Sequence, residues 1–272
     1  MSNADVKPIM LADSKTIAAS ITDAVQQPQP PDEIKTRART EVQAHGFLWE
    51  QEILQNVYRA TQEELATISY TSNVDLPAKF NRLNRADLSI KTSGNNKTIC
   101  MGNPLRVFDE TGGETPLHLV VICFQQYELQ CEKKITSIIE IDLTNSRELL
   151  FGSLTRAQLE ELDRTVKEVP QKRRPTADEH KKMFDMQEML QKSSGAIYLN
   201  IKCDSAASRL QCSFNRFQSF IKNNETRVIA HSDTNNFRGG SISAAISSSQ
   251  RKFKSKDEKT PPLVPRLRRP RK

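Results

Sequence analysis

The chain has 272 residues, 36% of them hydrophobic, with 40 lysines and arginines against 33 aspartates and glutamates. That length admits one large domain or one domain with tails, and a hydrophobic share below the roughly 45–50% usual for globular domains implies that part of the chain lies outside a core. The formal charge of +7 favours a polyanionic partner, while the lack of any apolar run near the roughly 18 residues of a membrane span, and of a signal-peptide pattern, argues against a membrane and for an intracellular protein.

Residues 1–35 are polar, close on Gln27-Pro28-Gln29-Pro30-Pro31, and read as a flexible lead in which Ile17–Val25 forms at most a short helix. The first strong element is a helix from about Ile34 to Glu64, with an interruption expected at Gly46. Ile53, Leu54 and Val57 share one face of it at helical spacing. Glu50, one turn earlier, lies on that face. A carboxylate there is costly unless a lysine or a metal pairs with it; the alternative is a solvated residue at the edge of the stripe.

Ala66–Ser72 is β-prone, and Asp75-Leu76-Pro77 ends it. Ala86–Thr92 alternates, with Leu88 and Ile90 on one side and Asp87, Ser89 and Lys91 on the other. Ser93-Gly94-Asn95-Asn96 reads as a hairpin turn into a short strand over Thr98–Met101, and Asn103-Pro104 as a further turn. Leu117–Tyr127 is nearly all apolar, the look of a strand buried on both faces, and Ile135–Leu143 is a second such strand. Thr155 and Gln158 make a capping box for a helix that runs to about Pro170. Ala177–Lys192 is another helix, with the basic connection Lys172-Arg173-Arg174 before it. Strands follow at Ala196–Cys203 and Arg209–Phe214, then a helix or strand around Phe217–Ile221 and a strand at Arg227–Ala230. From Asp233 the serines, prolines and positive charge predict a disordered tail ending in Arg266-Leu267-Arg268-Arg269-Pro270-Arg271-Lys272. The expected organisation is a lead (1–35), one domain (36–232) and a basic tail (233–272).

Five irregularly spaced cysteines read as reduced thiols of a reducing compartment, and the four scattered histidines, with no CxxC pair, give no zinc pattern. The oxygen and nitrogen groups around Asp75 and Lys91 suit other chemistry. Carboxylates fix a magnesium ion while leaving positions for water and phosphate, and a lysine beside them steadies charge on a phosphoryl group.

This arrangement resembles the PD-(D/E)XK nuclease superfamily, in the branch of the type II restriction endonucleases. There an acid, a variable gap and an acid-x-Lys strand form the site, preceded by a helix bearing a glutamate. Asp75 matches the first acid and Lys91 the lysine, whereas Ser89 stands where the second acid usually stands. Some members carry serine there and take the missing carboxylate from a helix; Glu50 is the natural replacement, with Asp87 as its rival. Flanking residues add to the similarity, among them Trp49-Glu50, Asn81, Leu105-Arg106-Val107-Phe108, Gln125-Gln126-Tyr127 and Arg209-Leu210-Gln211-Cys212-Ser213.

The resemblance spans about Arg37 to Ile229. It implies an α/β (α+β) fold with a central mixed sheet flanked by helices, and a Mg²⁺-dependent endonuclease, with Mn²⁺ as substitute, acting on double-stranded DNA. It is compatible with a homodimer and with a cytoplasmic, nuclear or virion-packaged protein. The alternative is an inactive nuclease-like DNA-binding or virion-associated protein. Phosphate contacts are expected from Lys79, Arg82, Arg85, Lys172, Arg173 and Arg174, and base or phosphate contacts from Lys202, Arg209 and Gln211, arginine and glutamine being suited to base edges.

Overall fold

The computed structural model describes residues 41–68, 74–94, 97–127, 131–203 and 207–247. The expected lead, the start of the helix expected from Ile34, most of the β-prone run to Ser72, Asn95-Asn96 of the expected turn and the basic end 248–272 lie outside the described residues. Within them the chain is mixed α/β: a five-stranded mixed sheet, a three-stranded antiparallel sheet and flanking helices.

Helix α1 spans Glu41–Glu52 and continues as a π-helical turn over Ile53–Val57. Gly46 is inside it, so the expected interruption falls later. Arg59 turns the chain with φ 63°, and Thr61 caps a new helix, α2 (Gln62–Thr67), through a capping box with Glu64. Ala66 and Thr67, expected to open a strand, end this helix instead.

Strand β1 (Asp87–Ser93) has the expected alternation. Leu88 and Ile90 are buried in one core with Trp49, Ile53 and Val57, and Ser89 and Lys91 project from the opposite face. Leu76 forms an isolated antiparallel bridge to Leu88, with Leu88 N donating to Leu76 O at 2.8 Å. Strand β2 (Ile99–Gly102) does not return along β1 as a hairpin; it leaves for the small sheet. Asn103-Pro104 likewise starts a helix and not merely a turn. The side-chain carbonyl of Asn103 accepts from Leu105 N and Arg106 N, and Pro104 fills the first position of α3 (Pro104–Glu110), where a missing N–H costs nothing.

Strand β3 (Leu117–Tyr127) is buried at every position from Leu117 to Phe124, as its composition predicts. It runs parallel to β1, with Ser89 opposite Leu119 and Lys91 opposite Val121, and antiparallel to β4 (Glu132–Asp142). Short α4 (Arg147–Phe151) leads to α5 (Arg156–Lys167), which carries the expected Thr155–Gln158 box, and to α6 (Ala177–Gln191), capped by Thr176 and Glu179. Strands β5 (Ile197–Cys203) and β6 (Ser208–Phe214) pair with each other, and β2 pairs with β6. After α7 (Phe217–Asn223), β7 (Val228–Ser232) returns to the outer edge of β4.

Residues 233–247, expected to belong to a disordered tail, are folded. The short strands β8 (Asn236–Phe237) and β9 (Gly240–Ser241) form a hairpin, and β10 (Ala245–Ser247) pairs with Glu132–Lys134 of β4. Phe237, Ile242 and Ile246 are buried in the core under α1. The Trp49 indole donates to Ser243 O at 2.9 Å, and Glu52 accepts from both Ser243 N and Ser243 Oγ at 2.6 Å. Gly240 passes so close to α1 that a Cβ would stand 2.5 Å from Asn56 O, so only glycine fits there. The regional composition hid three apolar residues that suffice to bind this segment.

Candidate active site

The antiparallel bridge at Leu76 brings Asp75 beside the polar face of β1. Its carboxylate is held there by three donors on one oxygen: Ile90 N at 2.6 Å, Lys91 Nζ at 3.3 Å and Ser89 Oγ at 3.4 Å, all to Oδ2. The ammonium of Lys91 also donates to Ile90 O at 2.9 Å. Asp75 and Lys91 form a half-buried ion pair, with side chains 27% and 22% exposed. Ser89 is buried and orients Asp75.

The second carboxylate comes from α3. Val107 and Phe108 of that helix share a core with Leu119 and Val121, which lie opposite Ser89 and Lys91 across the parallel β1–β3 pair. Helix α3 therefore covers the face from which Lys91 projects. Glu110, one turn after Val107, has its side chain only 14% exposed and stands 3.7 Å from Arg106 Nε. Its Oε1 is buried without a hydrogen-bond partner. Burial pushes its carboxyl up to about 7; Arg106 and Lys91 pull it down, and Asp75 and Asp87 push it up. Glu110 thus shares an electrostatic environment with three residues singled out in the sequence. Asn103-Pro104, read as a turn alone, conceals it. Read as an N-cap followed by proline at N1, the same dipeptide starts a helix that places Glu110 on the face of Val107.

Glu50 is placed differently. Helix α1 packs through Trp49, Ile53 and Leu54 against the Leu88–Ile90 face of β1, and a Cβ on Gly46 would stand 3.5 Å from Thr92 Oγ1 on that same face. Lys91 and Ser89 project from the other face. Glu50, expected to supply the missing acid, is thus carried by a helix packed on the Leu88–Ile90 face of β1. Asp87, its rival, accepts from Ala78 N through Oδ1 at 2.7 Å.

Among the described residues, no three His, Cys, Asp or Glu side chains converge as a metal-binding group. Two carboxylates, Asp75 and Glu110, remain. Magnesium is commonly held by one or two carboxylates, with water and substrate phosphates completing its shell, and both of these are oxygen donors of that kind.

The expected DNA-contact residues fall in three places. Arg82 makes a bidentate pair with Glu64 and also donates to Arg59 O, while Arg85 is exposed nearby with φ 52°. Arg173 makes a bidentate pair with Glu179 at the start of α6, between Lys172 and Arg174. Lys202 lies directly opposite Arg209, and Gln211 opposite Asn200, on the outer face of the small sheet. Arg82 and Arg173 thus brace structure.

A second polar cluster lies on the Leu88 side of the sheet. Glu140, fully buried, accepts from Asn84 Nδ2 at 3.0 Å, meets His118 Nδ1 at 2.9 Å and pairs with Arg238. Burial alone would raise its carboxyl, but the bonds to His118 and Arg238 outweigh that and hold it below the usual range.

Compared with known proteins, the chain matches no protein-family model, no curated protein and no solved structure significantly. Among the described residues no helix is long and apolar enough to cross a membrane.

Proposed function

We propose that the chain is a Mg²⁺-dependent endodeoxyribonuclease of the restriction-endonuclease-like type, hydrolysing phosphodiester bonds in duplex DNA. The observation that carries this reading is the ion pair of Asp75 with Lys91 on the polar face of β1, with Glu110, whose Oε1 is buried without a hydrogen bond, on the helix that covers that face. The placement of Asp75, next to the Leu76–Leu88 bridge, beside Lys91 of β1 supports the fold assignment, and the formal charge of +7 supports a DNA substrate.

In this reading Asp75 and Glu110 would hold the ion, which would supply polarisation of the phosphoryl oxygen and a more acidic water. The Lys91 ammonium, steered by Asp75 Oδ2 and Ile90 O, sits ready to donate to a phosphoryl oxygen as charge builds on it. Ser89 cannot ligate as a carboxylate would; it fixes the rotamer of Asp75. Lys172, Arg174 and Lys202 serve as phosphate contacts, Gln211 as a base contact, and a homodimer would cut both strands.

The test is cleavage of a supercoiled plasmid and of labelled duplexes with Mg²⁺ or Mn²⁺ and with EDTA. Metal-dependent cutting that falls by roughly 100-fold or more in Asp75→Asn and Lys91→Met is expected, the scale of losing one charge-stabilising group. DNA binding without cleavage under all these conditions would instead favour an inactive nuclease-like binding protein, the reading to which Ser89 at the acid position points.

A further inference from the structure

The chain between Asp75 and β1 forms a concavity of about 450 Å³ lined by Ala78, Lys79, Asn81, Arg82 and Arg85. Three of its five lining residues are cations and none is an acid. Loops this basic are usually solvated and mobile, so that ordering them on a ligand costs binding energy. This one is already ordered. Asn81, 1% exposed, donates to Ala86 O at 2.8 Å and to Asn84 Oδ1 at 2.6 Å, and accepts from Leu83 N at 3.2 Å. Asn84 ties the loop to buried Glu140, and Ala78 N ties it to Asp87 at the head of β1.

The three cations divide into two kinds. Arg82 is neutralised by its bidentate pair with Glu64, and its contact with Arg59 O closes the loop onto the end of α1. Lys79 lies 4.6 Å over the Phe80 ring, and no carboxylate pairs with Lys79 or Arg85 among the described residues. Arg85 is held in the left-handed region, φ 52°, where a residue with a side chain is strained unless its surroundings impose it. The bond from Arg85 N to Asn81 O, 3.2 Å, holds it there.

We propose that Ala78–Arg85 is a preorganised phosphate-binding loop in which Lys79 and Arg85 hold a backbone phosphate of a nucleic-acid strand, with Arg82 as a brace. The assignment of the ligand rests on the nuclease reading, since the loop joins Asp75 to β1 and would engage a phosphate flanking the one at Asp75 and Glu110. Free phosphate shares the same chemistry and is separated by the test.

Binding of a labelled short duplex is measured by anisotropy in EDTA, so that no cleavage occurs, across a salt series. The proteins are wild type, Lys79→Ala/Arg85→Ala and Asp75→Asn. Each phosphate contact contributes about −0.9 to the slope of log affinity against log salt. The double variant is expected to flatten the slope by about 2 and to bind roughly ten-fold or more weakly at moderate salt. A wild-type slope and affinity in the folded double variant would overturn the proposal. So would a double variant that loses only the binding of inorganic phosphate, followed by NMR, while its duplex slope stays unchanged. If the slope flattens but wild type never cuts DNA with Mg²⁺, the loop stands and the nuclease reading fails. If wild type cuts and the slope is unchanged, the nuclease reading stands and the loop proposal fails.

Discussion

Asp75 Oδ2 and Lys91 Nζ lie 3.3 Å apart, and the same oxygen accepts the Ile90 amide at 2.6 Å. The acid is therefore fixed by the strand that carries the lysine, and its position does not depend on a bound ion. Asp75→Ala leaves the partly buried Ile90 amide without its acceptor and the Lys91 ammonium without its counter-charge, and we expect a loss of about 1–3 kcal/mol. Asp75→Asn keeps an acceptor and loses less. Urea denaturation of both variants checks this; equal losses would mean that the Ile90 bond contributes nothing.

The raised pKa of Glu110 makes apo stability pH-dependent. Its folded-state value, about 7, exceeds the value of 4.5 for a free side chain. The stability linked to the protonated form is therefore fully present below about pH 4.5 and is lost as pH rises through 7. Glu110→Gln removes the penalty of burying a charge. It should be more stable than wild type at pH 8 by about 2 kcal/mol, a figure reduced for partial solvent screening, and the gain should fade towards pH 4. Mg²⁺ should raise the Tm of wild type at pH 8 and leave that of the variant unchanged. Thermal melts with and without Mg²⁺ measure both effects.

Glu140 follows the opposite sign. Its folded pKa is depressed, so the stability it supplies is present above the unfolded carboxylate range and is lost as pH falls through the folded value. Glu140→Ala strands Arg238 and His118 beside a buried gap, and we expect a cost of about 3–5 kcal/mol at pH 7 that shrinks in acid. Melts from pH 7 down to pH 3 would show the two proteins converging; a constant difference would contradict the electrostatic account.

Truncation tests the contribution of the folded segment 233–247. A chain ending at Ser232 loses Phe237, Ile242 and Ile246, worth about 1.5–3 kcal/mol each when fully buried, together with the bonds of Ser243 to α1. It should lack a cooperative melt. The full-length protein is the reference. Circular dichroism on both chains decides, and a cooperative, unshifted melt for the shorter one would show that the segment is dispensable.

Much of the architecture was legible where one residue pattern has one cause. The unbroken apolar run of β3, the alternation of β1 and the Thr155 capping box each fix an element locally. Asp75 and Lys91 were legible as neighbours because a bridge and a strand lie close in sequence. Glu110 was not, because it depends on a helix start that reads as a turn and on which face of β1 that helix covers. The apolar stripe that carries Glu50 says a helix is buried without saying against which side of the sheet. Nor does composition disclose that β2 would leave β1 for a second sheet, or that three apolar residues would anchor 233–247.

In the proposed site Glu110 joins Asp75 and Lys91. The most direct measurement compares Mg²⁺-dependent cleavage of one labelled duplex by Glu110→Gln and Glu50→Gln, each first shown by circular dichroism to be folded. The account predicts a loss of roughly 100-fold or more for Glu110→Gln and near wild-type cutting for Glu50→Gln. Full activity in Glu110→Gln, with activity abolished in Glu50→Gln, would contradict it.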